Sequence, residues 1–213
     1  MFFLYRLVAL LIGYALGMIQ TGYFVGKIYG IDIREHGSKN AGMTNVTRIL
    51  GVSPGAVVFI VDILKAIVAF VIATLLFSGG GTFFASDYVL PGLWAGLGAI
   101  LGHDFPAIMK FKGGKGISCT LGIILMLDWR AALIAYAIGF ILVGLFRYIS
   151  LASLAITFAT PILLAVFGHG IEVIAIAAGF GALAWVLHRA NIKRIFTGTE
   201  SRFLASKKQA KSN

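Results

Sequence analysis

The residues best suited to chemistry in this chain lie in FKGGKG, 111–116, where Gly113, Gly114 and Gly116 flank Lys115 just before an apolar stretch that starts at Ile117. Glycines let backbone amides approach an anion with no Cβ in the way. A helix starting there adds about half a positive charge, and the lysine adds a full one. This is phosphate-binding chemistry, but not that of a nucleotide hydrolase, because the GxxxxGK[ST] spacing is absent.

Two further segments carry groups of the same kind. HGSKNAGMTNVTR, 36–48, sets Ser38, Asn40, Thr44 and Asn45 around glycines and ends on Arg48, whose guanidinium can grip a phosphate through two parallel hydrogen bonds. HRANIKRIFTGTESR, 188–202, begins on His188 and places Asn191 three residues on, which is the same face of a helix. Turn formation, capping and snorkelling toward lipid headgroups could each account for one such segment alone. Three of them on one side of a molecule point to a single site.

The elements that must position these segments are oily. Of 213 residues, 59% are hydrophobic and 12% charged, and the mean hydropathy is +0.95. That composition belongs to a multi-span membrane protein. Leu4–Ile28 and Val52–Phe77 are long enough to cross a hydrocarbon core of about 30 Å. Shorter apolar stretches follow near 88–101, 117–127, 131–146, 151–167 and 171–187. The prediction is an all-α membrane protein of seven transmembrane helices, forming a single domain over 1–213 with a disordered cytoplasmic tail at 205–213.

With the amino terminus outside, the inside segments hold fifteen of the eighteen basic residues, which satisfies the positive-inside rule and puts all three polar segments and the carboxyl terminus on the cytoplasmic face. A face beside anionic lipid explains the net charge of +10 without nucleic acid, and no nucleic-acid-binding module is visible. The stretches flanking 102–116 are short for a bilayer, so irregular backbone there should lie below the interface, where only protein or a wet cavity tolerates it. The single cysteine, Cys119, and the scattered inside acids Asp32, Glu35, Asp104 and Glu200 offer no metal cluster, and no cofactor is expected. Asp62 and Lys65, three apart within a span, read as an internal ion pair.

GSKNAGMTNVTR, GHDFPAIMKFKGGKG followed by Thr120, and HRANIKRIFTGTE resemble, in order and placement, the three signature segments of the bacterial PlsY-type glycerol-3-phosphate acyltransferases. Asn40, Gly42, Thr44, Asn45 and Arg48 match the first; Ala41 and Met43 stand where that family has Pro and Ala. RYISLAS, 147–153, looks like a further family segment, with Ser153 as a contact. The resemblance implies transfer of a fatty acyl group from acyl phosphate to the 1-hydroxyl of glycerol-3-phosphate, giving lysophosphatidic acid at the inner face of the bacterial cytoplasmic membrane. It also implies a functional partner of PlsX type that makes acyl phosphate.

On that reading Lys115, Ser38 and the Gly113 and Gly114 amides hold the donor phosphate, while Arg48, Lys115, His188 and Asn191 hold the acceptor. The proton of the acceptor hydroxyl goes either to His188 or to the donor phosphate itself. A transporter of phosphate esters is the competing class, since it too would place glycines, lysines and broken helices at membrane depth. A membrane prenyltransferase is excluded by the lack of paired aspartates for Mg²⁺.

Overall fold

The residues that interrupt the apolar sequence also end its helices. A computed structural model describes residues 2–77 and 89–203, which are helix and connecting loop with no strand among the described residues. The helices are α1 (Phe2–Gly17), α2 (Thr21–Ile28), α3 (Met43–Leu50), α4 (Val52–Phe77), α5 (Val89–Asp104), α6 (Ile117–Leu127), α7 (Trp129–Phe146), α8 (Ile149–Val166), α9 (Ile171–Leu187) and α10 (Arg189–Phe196), with single 3₁₀ turns at Ile33–Glu35 and Ala107–Met109. The tail at 205–213 and position 88 lie outside the described residues.

Four stretches are long and apolar enough to cross a membrane: Leu4–Ile28, α4, α7 and α8. The bent pair α9 and α10 is a fifth if the two are counted as one span. The seven expected spans add α5 and α6, of 16 and 11 residues, and take α9, of 17, by itself. The first span differs from expectation in being broken, since α1 stops at Gly17 and α2 restarts at Thr21.

Packing of α1 on α5 sets the frame for the site. Gly13 and Gly17 on α1 face Ala95 and Ala99, and Gly98 and Gly102 on α5 face Leu10 and Tyr14. A Cβ at Gly13 would fall 1.8 Å from the Ala95 carbonyl oxygen, and one at Gly98 2.0 Å from that of Leu10. Each helix thus carries small residues four apart, which is how helices achieve backbone contact in lipid, where burial of apolar surface drives little association. The Tyr14 hydroxyl donates to the Phe105 carbonyl at 2.8 Å, and Gln20 Nε2 donates to the His103 carbonyl at 3.0 Å, so the end of α5 is pinned to the break after α1.

Around this pair, α4 packs against α5 and α6, and α8 bridges α7 and α9. The core between them is rich in alanine, with Ala66, Ala69, Ala73, Ala95 and Ala99 fully buried beside Phe70 and Leu93. α6 turns into α7 at one residue, Asp128, whose carboxylate accepts from the Arg130 and Ala131 amides and caps α7.

Candidate active site

The loop of the first polar segment is folded around one side chain. Asn45 is buried, and the two hydrogens of its Nδ2 are shared among the carbonyls of Ile33, His36 and Asn40 at 3.2, 3.0 and 3.0 Å, while Oδ1 accepts from the Ser38 amide at 2.9 Å. Asn45, singled out in the sequence as a candidate contact, lines the cavity and at the same time holds the loop together. Asn40 likewise accepts from the Gly42 amide and donates to the Gly113 carbonyl at 3.1 Å, joining the first segment to the second. The Ser38 and Thr44 hydroxyls and the Arg48 guanidinium remain for a ligand, and all three residues line one cavity.

The second segment folds back onto the end of α5. Gly113 N donates to the Asp104 carbonyl at 3.1 Å and Gly114 N to that of His103 at 2.9 Å. The two amides expected to hold phosphate are therefore engaged with protein, and neither glycine is among the described residues that line the cavity. Their lack of a side chain serves close approach: a Cβ would lie 2.0 Å from the His103 carbonyl oxygen at Gly113, and 1.9 Å from His103 Nε2 at Gly114. Gly116 caps α6 at φ +68, in the left-handed region that suits glycine. Lys115, Gly116, Ile117 and Ser118 do line the cavity, so the anion-attracting end of α6 faces it, with first-turn amides that have no partner inside the helix.

In the third segment the chain bends by 60° at His188, which ends α9 and starts α10. The single helix face expected to carry His188 and Asn191 is therefore a corner, yet both residues reach the cavity. Asn191 Oδ1 accepts from Lys115 Nζ, and its Nδ2 donates to Glu200 Oε1 at 2.7 Å. Ser150 Oγ donates to the same Glu200 oxygen at 2.8 Å, and Arg194 Nε to the other at 2.6 Å. The three segments thus converge through hydrogen bonds running from Asn40 to Gly113 and from Lys115 to Asn191.

Electrostatics follow from this crowding. Burial lowers the Lys115 ammonium to about 8, helped by the Arg194 and Arg48 charges and opposed by Glu200. Burial also lowers the Arg48 pKa, although a guanidinium stays charged. At His188, burial and then the Lys115 charge bring the imidazole down to about 4, so it is neutral at pH 7. Its Nδ1 lies 2.8 Å from the Ala184 carbonyl, an acceptor, and so carries the proton, leaving Nε2 with a lone pair.

The cavity measures about 1430 Å³. Beyond its cationic end, it is walled by Phe59 and Ile63 of α4, Leu121 of α6, Gly139, Phe140 and Val143 of α7, and Ile156 of α8. Ser153 also lines it, but its hydroxyl donates to the Ile149 carbonyl one turn back at 2.9 Å. Sequence reasoning missed Glu200, Arg194, Ser118 and Ser150. Glu200 and Arg194 sit within the third polar segment, and that membership was their only signal.

A helical membrane protein with a cavity that is cationic and hydrogen-bonding at one end and apolar at the other is built to hold a phosphate ester beside a lipid chain. The chain belongs to the glycerol-3-phosphate acyltransferase family, which it matches over residues 7–198. It is 42% identical over 197 residues to the glycerol-3-phosphate acyltransferase of Nitrobacter winogradskyi, covering 92% of this chain and 95% of that protein. The Aquifex aeolicus relative of the same name is 38% identical over 193 residues, covering 89% and 95%.

Two crystal structures of PlsY, an integral membrane glycerol 3-phosphate acyltransferase, share the fold. The glycerol 3-phosphate form superposes with a TM-score of 0.84 at 34% identity, covering 98% of this chain and 99% of that one. The lysophosphatidic acid form gives 0.81 at 35%, covering 93% and 95%. The chain is therefore an acyltransferase of phospholipid synthesis, and the transporter alternative falls.

Proposed function

We propose that this protein transfers a fatty acyl group from acyl phosphate to the 1-hydroxyl of sn-glycerol-3-phosphate, releasing phosphate and lysophosphatidic acid. The observation that carries the reading is the continuity of Arg48, Lys115, His188 and Asn191 with the apolar wall of α4, α6, α7 and α8 in one cavity. Two phosphates need the cationic end, and the acyl tail needs the apolar wall. Lys115, Ser38, Thr44 and the first-turn amides of α6 take the donor phosphate, in place of the engaged Gly113 and Gly114 amides. Arg48 and Asn191 hold the phosphate of the acceptor.

Nε2 of the neutral His188 accepts a hydrogen bond from the bound acceptor's hydroxyl, without taking its proton, and so orients the oxygen toward the acyl carbonyl. As the carbon–oxygen bond to the acceptor forms and the bond from the acyl carbon to the phosphate oxygen breaks, that hydrogen passes from its hydrogen bond with Nε2 to a phosphate oxygen and leaves on the departing phosphate. Phosphate is already a good leaving group, so holding two reactants in line and neutralising their charge supplies much of the acceleration. We read seven crossings with the amino terminus outside and the cavity opening to the cytoplasmic side of the bacterial inner membrane, a reading supported by the fifteen of eighteen basic residues that then lie inside. There a soluble PlsX-type enzyme supplies the donor.

The test is acyl transfer by purified protein from palmitoyl phosphate, with palmitoyl-CoA in parallel, to labelled glycerol-3-phosphate. Transfer from the phosphate donor alone, abolished in Lys115→Ala, is expected. Transfer from the thioester instead, or from neither donor, overturns the reading.

A further inference from the structure

A charged cluster lies inside the helical bundle, and two of its members, Asp62 and His103, reach the lining of the cavity. Lys65 Nζ donates to the Ile19 carbonyl at 2.7 Å, lies 2.9 Å from His103 Nδ1, and forms an ion pair with Asp62 Oδ1 at 2.8 Å. Two hydrogen bonds and a carboxylate counter-charge thus surround the ammonium. Asp62 Oδ1 also accepts from Thr21 Oγ1 at 2.9 Å, and Gln20 Nε2 reaches the His103 carbonyl. Gln20, Thr21, Asp62, Lys65 and His103 are all buried.

Charges placed within spanning helices are costly, and a carbonyl freed by a helix break is costly too. Here each compensates the other: the break after α1 exposes the Ile19 carbonyl, and Lys65 fills it. What the cluster grips at its other end is His103. Because a lysine can only donate, Nδ1 of His103 must accept, and its remaining hydrogen sits on Nε2. The same histidine supports the second polar segment twice, since its carbonyl takes the Gly114 amide and its Nε2 edge lies where a Gly114 side chain would be. Lys115 is the next residue.

We infer that Lys65, held by Asp62, is a positioning residue of the transfer site: it fixes the His103 ring, and His103 fixes the Gly113–Lys115 loop so that the Lys115 ammonium stays in the cavity. The inference rests on the role assigned above to Lys115. It gives the intramembrane pair a function in addition to neutralising itself.

Amide hydrogen exchange and steady-state kinetics on the full-length protein in lipid nanodiscs test it. In Lys65→Met, exchange of the Gly113 and Gly114 amides is expected to accelerate at least tenfold, with amides of α7 and α8 unchanged. The value of kcat/KM for glycerol-3-phosphate should fall at least tenfold, and the same substitution made in a Lys115→Arg background should cost less than a further twofold. Unchanged loop exchange, exchange accelerated throughout, or equal proportional losses in both backgrounds overturns the inference.

Should Lys65→Met not fold, Thr21→Val removes one neutral donor from Asp62 and is read in the same way, with about threefold changes expected. Exchange needs no turnover. If the wild type transferred no acyl group, the functional reading would fail while a faster loop in Lys65→Met still upheld the link from Lys65 to His103.

Discussion

Asn40 donates its side-chain amide to the Gly113 carbonyl at 3.1 Å, across 73 positions of sequence. It is the hydrogen bond that locks the first polar loop onto the second, and its other end, Oδ1, closes a turn on the Gly42 amide at 2.8 Å. Asn40→Ala removes both and leaves a carbonyl without its partner. Stability should drop by about 1–2 kcal/mol, and KM for glycerol-3-phosphate should rise more than kcat falls. Thermal unfolding in detergent and acceptor titrations measure the two effects. A variant with wild-type KM would show that the loops register without this bond.

The lowered pKa of Lys115 predicts a pH profile. A lysine that titrates near 8 is charged below that pH and loses its charge above it, so kcat/KM for glycerol-3-phosphate should decline as pH rises through about 8. Bound phosphate favours the ammonium, so kcat should hold to higher pH. Lys115→Arg, which keeps its charge, should move the decline upward whatever its absolute rate. A decline unmoved by arginine would assign it to another group.

For His188 the low value, about 4, predicts a negative result: no loss of kcat/KM assignable to this imidazole between pH 8 and pH 5.5. His188→Ala should raise KM for the acceptor while leaving a measurable kcat, because the residue orients a hydroxyl and the donor phosphate takes the proton. A kcat lowered by on the order of 10³, with KM intact, would make His188 the base.

Chain-length preference should respond to Gly139. A Cβ there lies 2.6 Å from Ile156 Cδ1, within the apolar wall between α7 and α8. Gly139→Leu should fill that part of the groove and shift selectivity from palmitoyl phosphate toward lauroyl phosphate, about four CH₂ groups shorter. At roughly 0.8 kcal/mol for each buried CH₂, a shift on the order of tenfold or more in the ratio of kcat/KM values is expected. Equal loss for both donors would place the tail elsewhere.

Helix positions were largely legible in the sequence because hydropathy and its interruptions are one-dimensional signals. α4, α6 and α9 match their expected bounds, and α7 and α8 begin and end within two residues of theirs. The break at Met18–Gln20 was not legible, since MIQT inside an apolar run carries no proline or charge and the Lys65 that satisfies it is 46 positions from Ile19. At the site, residue identity announced which segments matter but not which atoms are free. Asn45 and the two glycines look alike as donors on paper, and only the folded loop shows that Ile33, His36, Asp104 and His103 already hold their hydrogens. Glu200 escaped because an acid's role depends on Asn191, Ser150 and Arg194 arriving around it.

The glycine contacts between α1 and α5 bear on how this gene product tolerates change. Gly13, Gly17, Gly98 and Gly102 touch no substrate, yet at each a single added methyl group would meet the opposite backbone at 2.3 Å or less. A saturation scan for growth should therefore show two clusters of intolerance of similar depth. One follows Arg48, Lys115 and Asn191 around the cavity; the other runs up a seam well away from it, and even alanine, the mildest replacement in most proteins, is excluded along that seam.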